Sequence, residues 1–145
     1  MIRSLTATAT AILTGLLAVP AAAQDVDAGA EVFKKQCATC HVVVNPDGET
    51  LAGRKARTGP NLYGVIGGPA AQVEGFRYGD GIQKAAEMEL VWNEENLAAY
   101  LQDTSGFLET FTGDDSVRSK MSWKVKKEED AANVHAFLIS LNPPE

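Results

Sequence analysis

The chain has 145 residues, with 13 basic and 19 acidic side chains, two histidines and two cysteines. This length fits one domain of ordinary size, and the formal net charge of −6 disfavours a nucleic-acid partner, since phosphate binding requires a basic surface. Two cysteines are too few for a disulfide-dense scaffold, or for a zinc or iron–sulfur site built from four cysteines.

The first 23 residues have the order of a secretory signal peptide. Arg3 precedes an apolar, small-residue run from Ala7 to Pro20, and three alanines that end at Ala23 suit a cleavage site. A membrane anchor is the alternative, but the run is short and is interrupted by threonine and glycine. We therefore predict that residues 1–23 are cleaved and that residues 24–145 form a single exported domain in the periplasm.

Four later segments have the apolar spacing and capping residues of helices. In chain order these are Asp27 to Gln36, a short helix from Asp80, a helix after Trp92, and Lys127 to Leu141. Asp27 and Asn93 are the candidate N-caps of the first and third helices, and Pro143 prevents continuation of the last. No run alternates convincingly as a strand. We therefore predict an all-α fold of three main helices, one short helix and long loops, with something else filling the centre.

Residues Cys37-Ala38-Thr39-Cys40-His41 carry the clearest chemical signal. Cys-x-x-Cys-His is the attachment sequence of c-type haem: the two thiols reach the two vinyl groups of one haem, and the adjacent histidine falls beneath the iron. A redox dithiol would need a βαβ context, and a zinc site would need ligands beyond the one remaining histidine, His135. The motif therefore predicts one covalently attached haem c, bound through Cys37 and Cys40, with its iron ligated by His41.

The sixth iron ligand has three candidates, Met88, Met121 and His135. Met121 lies between the helix after Trp92 and the last helix, whereas Met88 is flanked by two glutamates, which favours an exposed or gap-filling side chain. His135 falls beside the apolar stripe of the last helix, where a packing role is more usual. We therefore predict Met121 as the ligand. Axial ligation by His and Met fills both faces of the iron and suits electron transfer.

The landmarks along Asp25–Leu141 together resemble the class I c-type cytochromes, specifically the bacterial cytochromes c2, which are close to mitochondrial cytochrome c. The landmarks are Gly29, Phe33, Cys37–His41, Gly59–Gly64, Gly75–Tyr78, Leu90–Trp92, Ala99–Leu101, Lys120–Trp123 and Ala136–Leu138. One such match is weak, but eight in register are strong. The resemblance implies the class I cytochrome c fold, with helices and long loops wrapped around one covalent haem.

The resemblance also implies roles for individual residues. Pro60 matches the proline whose carbonyl accepts a hydrogen bond from the ligating histidine. Tyr78 and Trp92 match side chains that hydrogen-bond a haem propionate, and Tyr100 matches the tyrosine near the methionine sulfur. The first helix is expected to pack on the last through Gly29, Phe33, Val134 and Phe137.

Three positions depart from the pattern of the family. Gly68 stands where related sequences often carry an arginine near a propionate, so another polar group or water must compensate there. The stretch Phe107–Lys120 is longer than in the mitochondrial relatives, and Trp123 occupies a position where phenylalanine is usual.

The family resemblance implies a monomeric, soluble one-electron carrier rather than an enzyme. Its expected partners are the cytochrome bc complex and either a photosynthetic reaction centre or a cytochrome oxidase. The alternatives are a haem subunit or electron donor dedicated to one periplasmic dehydrogenase or peroxidase, and a gas sensor, which needs an open iron. The expected docking surface is a basic face, with a merely solvated helix face as its alternative. This basic face comprises Lys34, Lys35, Arg54, Lys55, Lys120, Lys124, Lys126 and Lys127.

Overall fold

The computed structural model describes residues 24–142. The predicted signal peptide and Pro143 lie outside these residues. The elements in chain order are α1 (Val26–Val32), a π-helical turn (Phe33–Cys37), β1 (Val42–Val44), β2 (Thr50–Gly53), α2 (Asp80–Glu87), α3 (Glu94–Gln102), α4 (Thr104–Thr112) and α5 (Glu128–Leu141). Within the described range, no helix combines the length and apolar character needed to cross a bilayer.

The first helix begins two residues earlier than the sequence predicts. The Asp25 carboxylate accepts a hydrogen bond from the Ala28 backbone N–H, so Asp25 is the N-cap and the prediction of Asp27 is wrong. Asp27 lies instead in the first turn of α1, where its negative charge interacts favourably with the helix dipole. Because aspartate suits both positions, spacing alone could not separate them.

Helices α1 and α5 pack in direct backbone contact. A Cβ added at Gly29 would lie 2.0 Å from the Asn133 carbonyl oxygen, so only glycine permits this approach. One turn later, the rings of Phe33 and Phe137 pack with their centroids 5.5 Å apart. The predicted packing of the first helix on the last through Gly29, Phe33 and Phe137 is confirmed.

The end of the first helix widens into a π-helical turn over Phe33–Cys37. The Ala38 N–H donates to the Phe33 carbonyl at 2.9 Å, and the N–H groups of Cys40 and His41 both donate to the Cys37 carbonyl. Short π-helical insertions are frequent at functional sites because they reorient the residues that follow. Here the turn leads directly into the Cys-x-x-Cys-His motif.

A two-stranded antiparallel hairpin follows the motif, so the expectation that no segment forms a strand is wrong. Val42 pairs with Gly53, and Val44 pairs with Thr50. In the connecting turn, the Asn45 side chain accepts a hydrogen bond from the Glu49 N–H at 2.8 Å. Strands of three and four residues are too short to show a convincing alternation in sequence.

Helix α3 has the predicted boundary, with Asn93 and Asn96 forming a reciprocal capping box. Helix α4 was not predicted: it starts directly after α3, where the Asp103 carboxylate accepts from the Gly106 N–H, and it ends at Gly113, whose φ is 65°. Helix α4 therefore supplies part of the long stretch over residues 107–120. Met121 lies in the loop from α4 to α5, not in a continuous loop from α3.

The helices enclose a core that surrounds a central cavity. Helix α5 packs on α1 and on α3, and α2 packs on α4. Buried apolar residues from these helices and from the intervening loops form one contiguous cluster. The hairpin adds little regular structure, so the predicted all-α class is confirmed.

Candidate haem-binding site

The central cavity has a volume of about 430 Å³. Most of the residues that line it are apolar, and they come from both halves of the chain. Every residue that the sequence analysis assigned to the cofactor or its iron lies in this wall: Cys37, Cys40, His41, Pro60, Tyr78, Trp92, Tyr100 and Met121.

The imidazole of His41 is buried and held in one orientation. Its Nδ1–H donates to the Pro60 carbonyl at 2.9 Å, which leaves the lone pair on Nε2 free to bind a metal. Burial lowers the pKa of His41, and the bond to Pro60 offsets this only in part. The ring is therefore neutral at physiological pH, which is the form that ligates iron.

The segment that carries Pro60 is fixed by its two neighbours. The Gly59 N–H donates to the Cys40 carbonyl at 2.7 Å, and a Cβ at Gly59 would lie 2.3 Å from Cε1 of the His41 ring. The Asn61 side chain accepts from the Val44 N–H at 2.9 Å and donates to the Val44 carbonyl at 2.8 Å. Gly59 and Asn61 therefore position Pro60, a role that the sequence signalled only through their place beside that proline.

The two thiols lie at the end of the π-helical turn and are not joined to each other. Cys37 is buried, and Cys40 is partly exposed. Burial, and secondarily the proximity of Cys40, raises the pKa of the Cys37 thiol to about 11. Cys37 is therefore protonated at neutral pH, so the structure does not indicate a reactive thiolate of the kind found in redox dithiols.

The Met121 segment is held by hydroxyl groups. The Thr104 hydroxyl donates to the Met121 carbonyl at 2.8 Å, and the Met121 N–H donates to Ser119 Oγ at 3.2 Å. The Tyr100 hydroxyl lies 2.9 Å from Ser119 Oγ. The tyrosine expected near the methionine thus bonds to a residue two positions before Met121. Thr104 and Ser119 had no role in the sequence analysis.

Aromatic side chains form one wall of the cavity. Trp92 packs on Tyr100, with ring centroids 5.1 Å apart, and on Phe107 of α4, at 6.0 Å. The Tyr78 hydroxyl accepts a hydrogen bond from the Val73 N–H at 3.1 Å. Burial raises the pKa of both Tyr78 and Tyr100, so both phenols are neutral hydrogen-bonding groups across the physiological range.

Gln72 covers the position where related sequences often carry an arginine. A Cβ at Gly68 would lie 2.6 Å from Gln72 Oε1 and from the Gly64 carbonyl oxygen. The Gln72 amide donates to that same carbonyl at 3.1 Å, and Gln72 lines the cavity. Gln72 is thus a polar group available near the missing arginine.

The rival ligand candidates lie outside the central cavity. Met88, at the end of α2, is 48% exposed and does not line the cavity. His135 is buried in α5 but is likewise absent from the cavity wall, and its Nδ1 has no partner among the described residues.

Several lysines of the basic face already have partners. Lys124 pairs with Asp103 at 2.9 Å, Lys34 and Lys35 pair with Glu31, and the Lys120 ammonium donates to the Arg77 carbonyl at 2.7 Å. In the range that the structure covers, the remaining basic residues of this face form no ion pair. These residues are Arg54, Lys55, Lys126 and Lys127.

The residues present fit a covalently bound haem. A macrocycle needs a large apolar space, two thiols at adjacent turns and a neutral imidazole with a free nitrogen, and the cavity offers each of these. The thioether of Met121 lies in the same wall and adds a soft ligand for the iron.

Curated relatives share this arrangement of sequence over nearly their whole length. No protein-family profile matches the chain. Cytochrome c2 of Rhodovulum adriaticum is 50% identical over 121 residues, which are 83% of this chain and 95% of the relative. Cytochrome c-550 of Paracoccus denitrificans is 44% identical over 131 residues, covering 88% of this chain and 82% of the relative.

Solved structures agree with the sequence relatives. The crystal structure of cytochrome c2 from Rhodobacter sphaeroides superposes with a TM-score of 0.78 at 48% identity, covering 80% of this chain and 94% of the other. Cytochrome c2 from Paracoccus denitrificans gives a TM-score of 0.76 at 40% identity, covering 82% and 97%. The predicted cofactor and the predicted absence of enzymatic activity both follow from these matches. The chain belongs to the bacterial cytochrome c2 family of class I c-type cytochromes, electron-transfer proteins that carry one covalently attached haem c.

Proposed function

We propose that this chain is a periplasmic electron shuttle whose haem iron is ligated by His41 and Met121. The observation that carries the proposal is that one cavity brings together the His41 imidazole, its Pro60 acceptor and the Met121 side chain. When bound, the haem supplies a one-electron couple between ferrous and ferric iron. The chain's own residues decide how that couple is held and who reaches it.

The residues around the iron site tune it in two ways. The Pro60 carbonyl holds His41 in the tautomer that presents Nε2 and strengthens the imidazole as a donor. The soft thioether of Met121 favours ferrous iron and raises the potential above that of bis-histidine ligation. The buried aromatic wall of Trp92 and Tyr100 keeps water away from the site.

The first experiment compares optical spectra of the haem-loaded protein with those of three variants. Met121→Leu should lose the far-red band of methionine–ferric ligation and should bind carbon monoxide when reduced. Met88→Leu and His135→Gln are the matched controls, because both residues lie outside the cavity wall, and both variants should keep the band. Loss of the band in either control, or ready carbon monoxide binding by the wild type, would overturn His/Met ligation and favour an enzyme or a sensor.

The proposed partners are the cytochrome bc complex as donor and a photosynthetic reaction centre or a cytochrome oxidase as acceptor. Lys35 and Lys120 lie at the cavity wall, and Trp123 beside them is 56% exposed. A basic rim around an exposed cavity edge favours rapid, transient docking on acidic surfaces. The unpaired basic residues of the face extend this rim.

Charge reversal tests the docking face. Lys120→Glu should slow electron transfer to an acidic partner at low ionic strength, and the difference from the wild type should vanish at high salt, where surface charges are screened. Equal rates at low salt would contradict the proposal. The experiment uses the haem-loaded protein, whose spectrum shows that the iron site is unchanged.

We also propose that export removes residues 1–23 and leaves residues 24–145 as one domain in the periplasm. The charge, apolar run and alanines of the leader support this proposal. Mass spectrometry of the protein recovered from the periplasm tests it. A mature chain that begins at Gln24 is expected, and retention of the leader would contradict it.

A further inference from the structure

The Thr104 side chain makes a buried hydrogen bond to the segment that carries Met121. Thr104 is the first residue of α4 and is 2% exposed. Its hydroxyl donates to the Met121 carbonyl at 2.8 Å, across 17 residues of sequence. A buried hydroxyl and a carbonyl that satisfy each other hold two segments in one register, because separating them leaves both unpaired.

The next residue of α4 holds the same segment at its other end. Ser105 Oγ accepts from the Ser119 N–H at 3.0 Å, and Ser119 Oγ accepts from the Met121 N–H at 3.2 Å. The first two residues of α4 therefore contact main-chain groups on both sides of Lys120. Because residues 119–124 lie outside any helix or strand, these side-chain bonds replace the main-chain bonding that regular structure would provide.

We propose that Thr104 is the positioning residue for Met121, and that its buried hydroxyl fixes the loop that presents the thioether to the iron. The proposal rests on the proposed function, since it assumes that Met121 is a ligand. Thr104 does not itself touch the iron. It acts by making displacement of Met121 more costly, because the methionine cannot swing away from the iron without straining or breaking this hydrogen bond.

The test measures how readily imidazole displaces Met121 from the oxidised, haem-loaded protein. Thr104→Val keeps the shape of the side chain and removes its hydroxyl, and Thr104→Ser restores a hydroxyl. Thr112→Val is the matched control: Thr112 is a buried threonine of the same helix, but its hydroxyl donates to the Leu108 carbonyl within α4. The midpoint of denaturant unfolding is measured for every variant, so that general destabilisation is separated from loop release.

Thr104→Val should raise the affinity for imidazole by about five- to tenfold, the effect of losing one buried hydrogen bond. Thr104→Ser and Thr112→Val should stay within about twofold of the wild type, even if the unfolding midpoint of Thr112→Val falls as far as that of Thr104→Val. This pattern separates positioning of Met121 from a merely structural role in α4.

Two results would overturn the inference. The first is an imidazole affinity of Thr104→Val within twofold of the wild type while the far-red methionine band remains present in both proteins. The second is an equal rise in affinity for Thr112→Val. A wild-type protein that lacks the band would instead overturn methionine ligation itself, and with it both proposals, so the two failures are distinguishable.

Discussion

The two sides of the central cavity present their candidate iron ligands in different ways. On the first side, the His41 ring is 8% exposed and is enclosed by the π-helical turn, the hairpin and the Pro60 segment. On the second side, Met121 lies in an irregular loop next to Trp123, which is 56% exposed. The histidine side is thus built from main chain in regular contact, and the methionine side from a loop tied down by side chains.

The hydrogen bonds of each side show the same difference. Main-chain bonds join Gly59 to Cys40 and Leu62 to Val42 on the histidine side. On the methionine side, hydroxyls of Thr104 and Ser119 contact the Met121 main chain. A main-chain network is lost only when the fold opens, whereas a side-chain bond can be lost singly. We therefore expect ligand displacement to begin at the methionine.

The largest effect is expected on the histidine side, where Gly59→Ala forces a methyl group against the His41 ring. The added Cβ would lie 2.3 Å from Cε1, and the surrounding main chain cannot move freely. We expect a loss of about 3 kcal/mol in the free energy of unfolding, measured with urea. Gly48→Ala is the control: nothing lies within 4 Å of its added Cβ, and its positive φ of 83° should cost about 1 kcal/mol. Equal losses would show that the ring is not confined.

The second effect removes the side chain that ties Pro60 to the hairpin. Asn61→Ala leaves the N–H and carbonyl of Val44 without their partner, which should cost about 2 kcal/mol of unfolding free energy. Asn45→Ala is the matched control in the exposed hairpin turn, where water replaces the lost bond to the Glu49 N–H, and it should cost less than about 1 kcal/mol. A smaller loss for Asn61→Ala than for the control would break the contrast between the two sides.

A third effect appears on the methionine side at low pH. The Lys84 ammonium, 2.5 Å away, is the main cause of a pKa of Asp114 well below its usual 3.8, and Ser116 contributes further. Since the folded-state pKa is the lower one, this contribution to stability is present above pH 3.8 and is lost as the pH falls below it.

Asp114→Asn should therefore lower stability at neutral pH and make its acid dependence shallower below pH 3.8. Urea unfolding at a series of pH values measures both effects. Asp47→Asn, in the hairpin turn, is the control and should leave the pH profile unchanged. Identical profiles for Asp114→Asn and the wild type would mean that the contact between α2 and the end of α4 does not contribute.

The smallest effect is expected from the exposed ion pair of the methionine side. The Lys124 and Asp103 side chains are 47% and 60% exposed, and such pairs contribute little to stability. Lys124→Ala should leave the thermal midpoint unchanged at low and at high salt. A large drop at low salt would show that surface charge, rather than the buried hydroxyl bonds, holds this loop.

Local sequence signals were sufficient for the cofactor motif and most of the helices. The Cys37–His41 motif, the capping residue Asn93 and the apolar stripe of the last helix act over a few neighbouring residues, so the chain shows them without any tertiary contact. Helix α4 escaped because it follows α3 directly, with Asp103 both ending one helix and capping the next. The hairpin escaped because its strands have only three and four residues.

By itself, the sequence determined the family, the haem attachment motif and the ranking of Met121 above Met88, because each depends on residue type and order. Only the tertiary structure decided which groups hold the ligands. The contacts of Gly59 with His41, of Asn61 with Val44 and of Thr104 with Met121 join residues 17 or more positions apart. Such contacts leave no periodic or local mark, since they depend on how separate segments pack around the cavity.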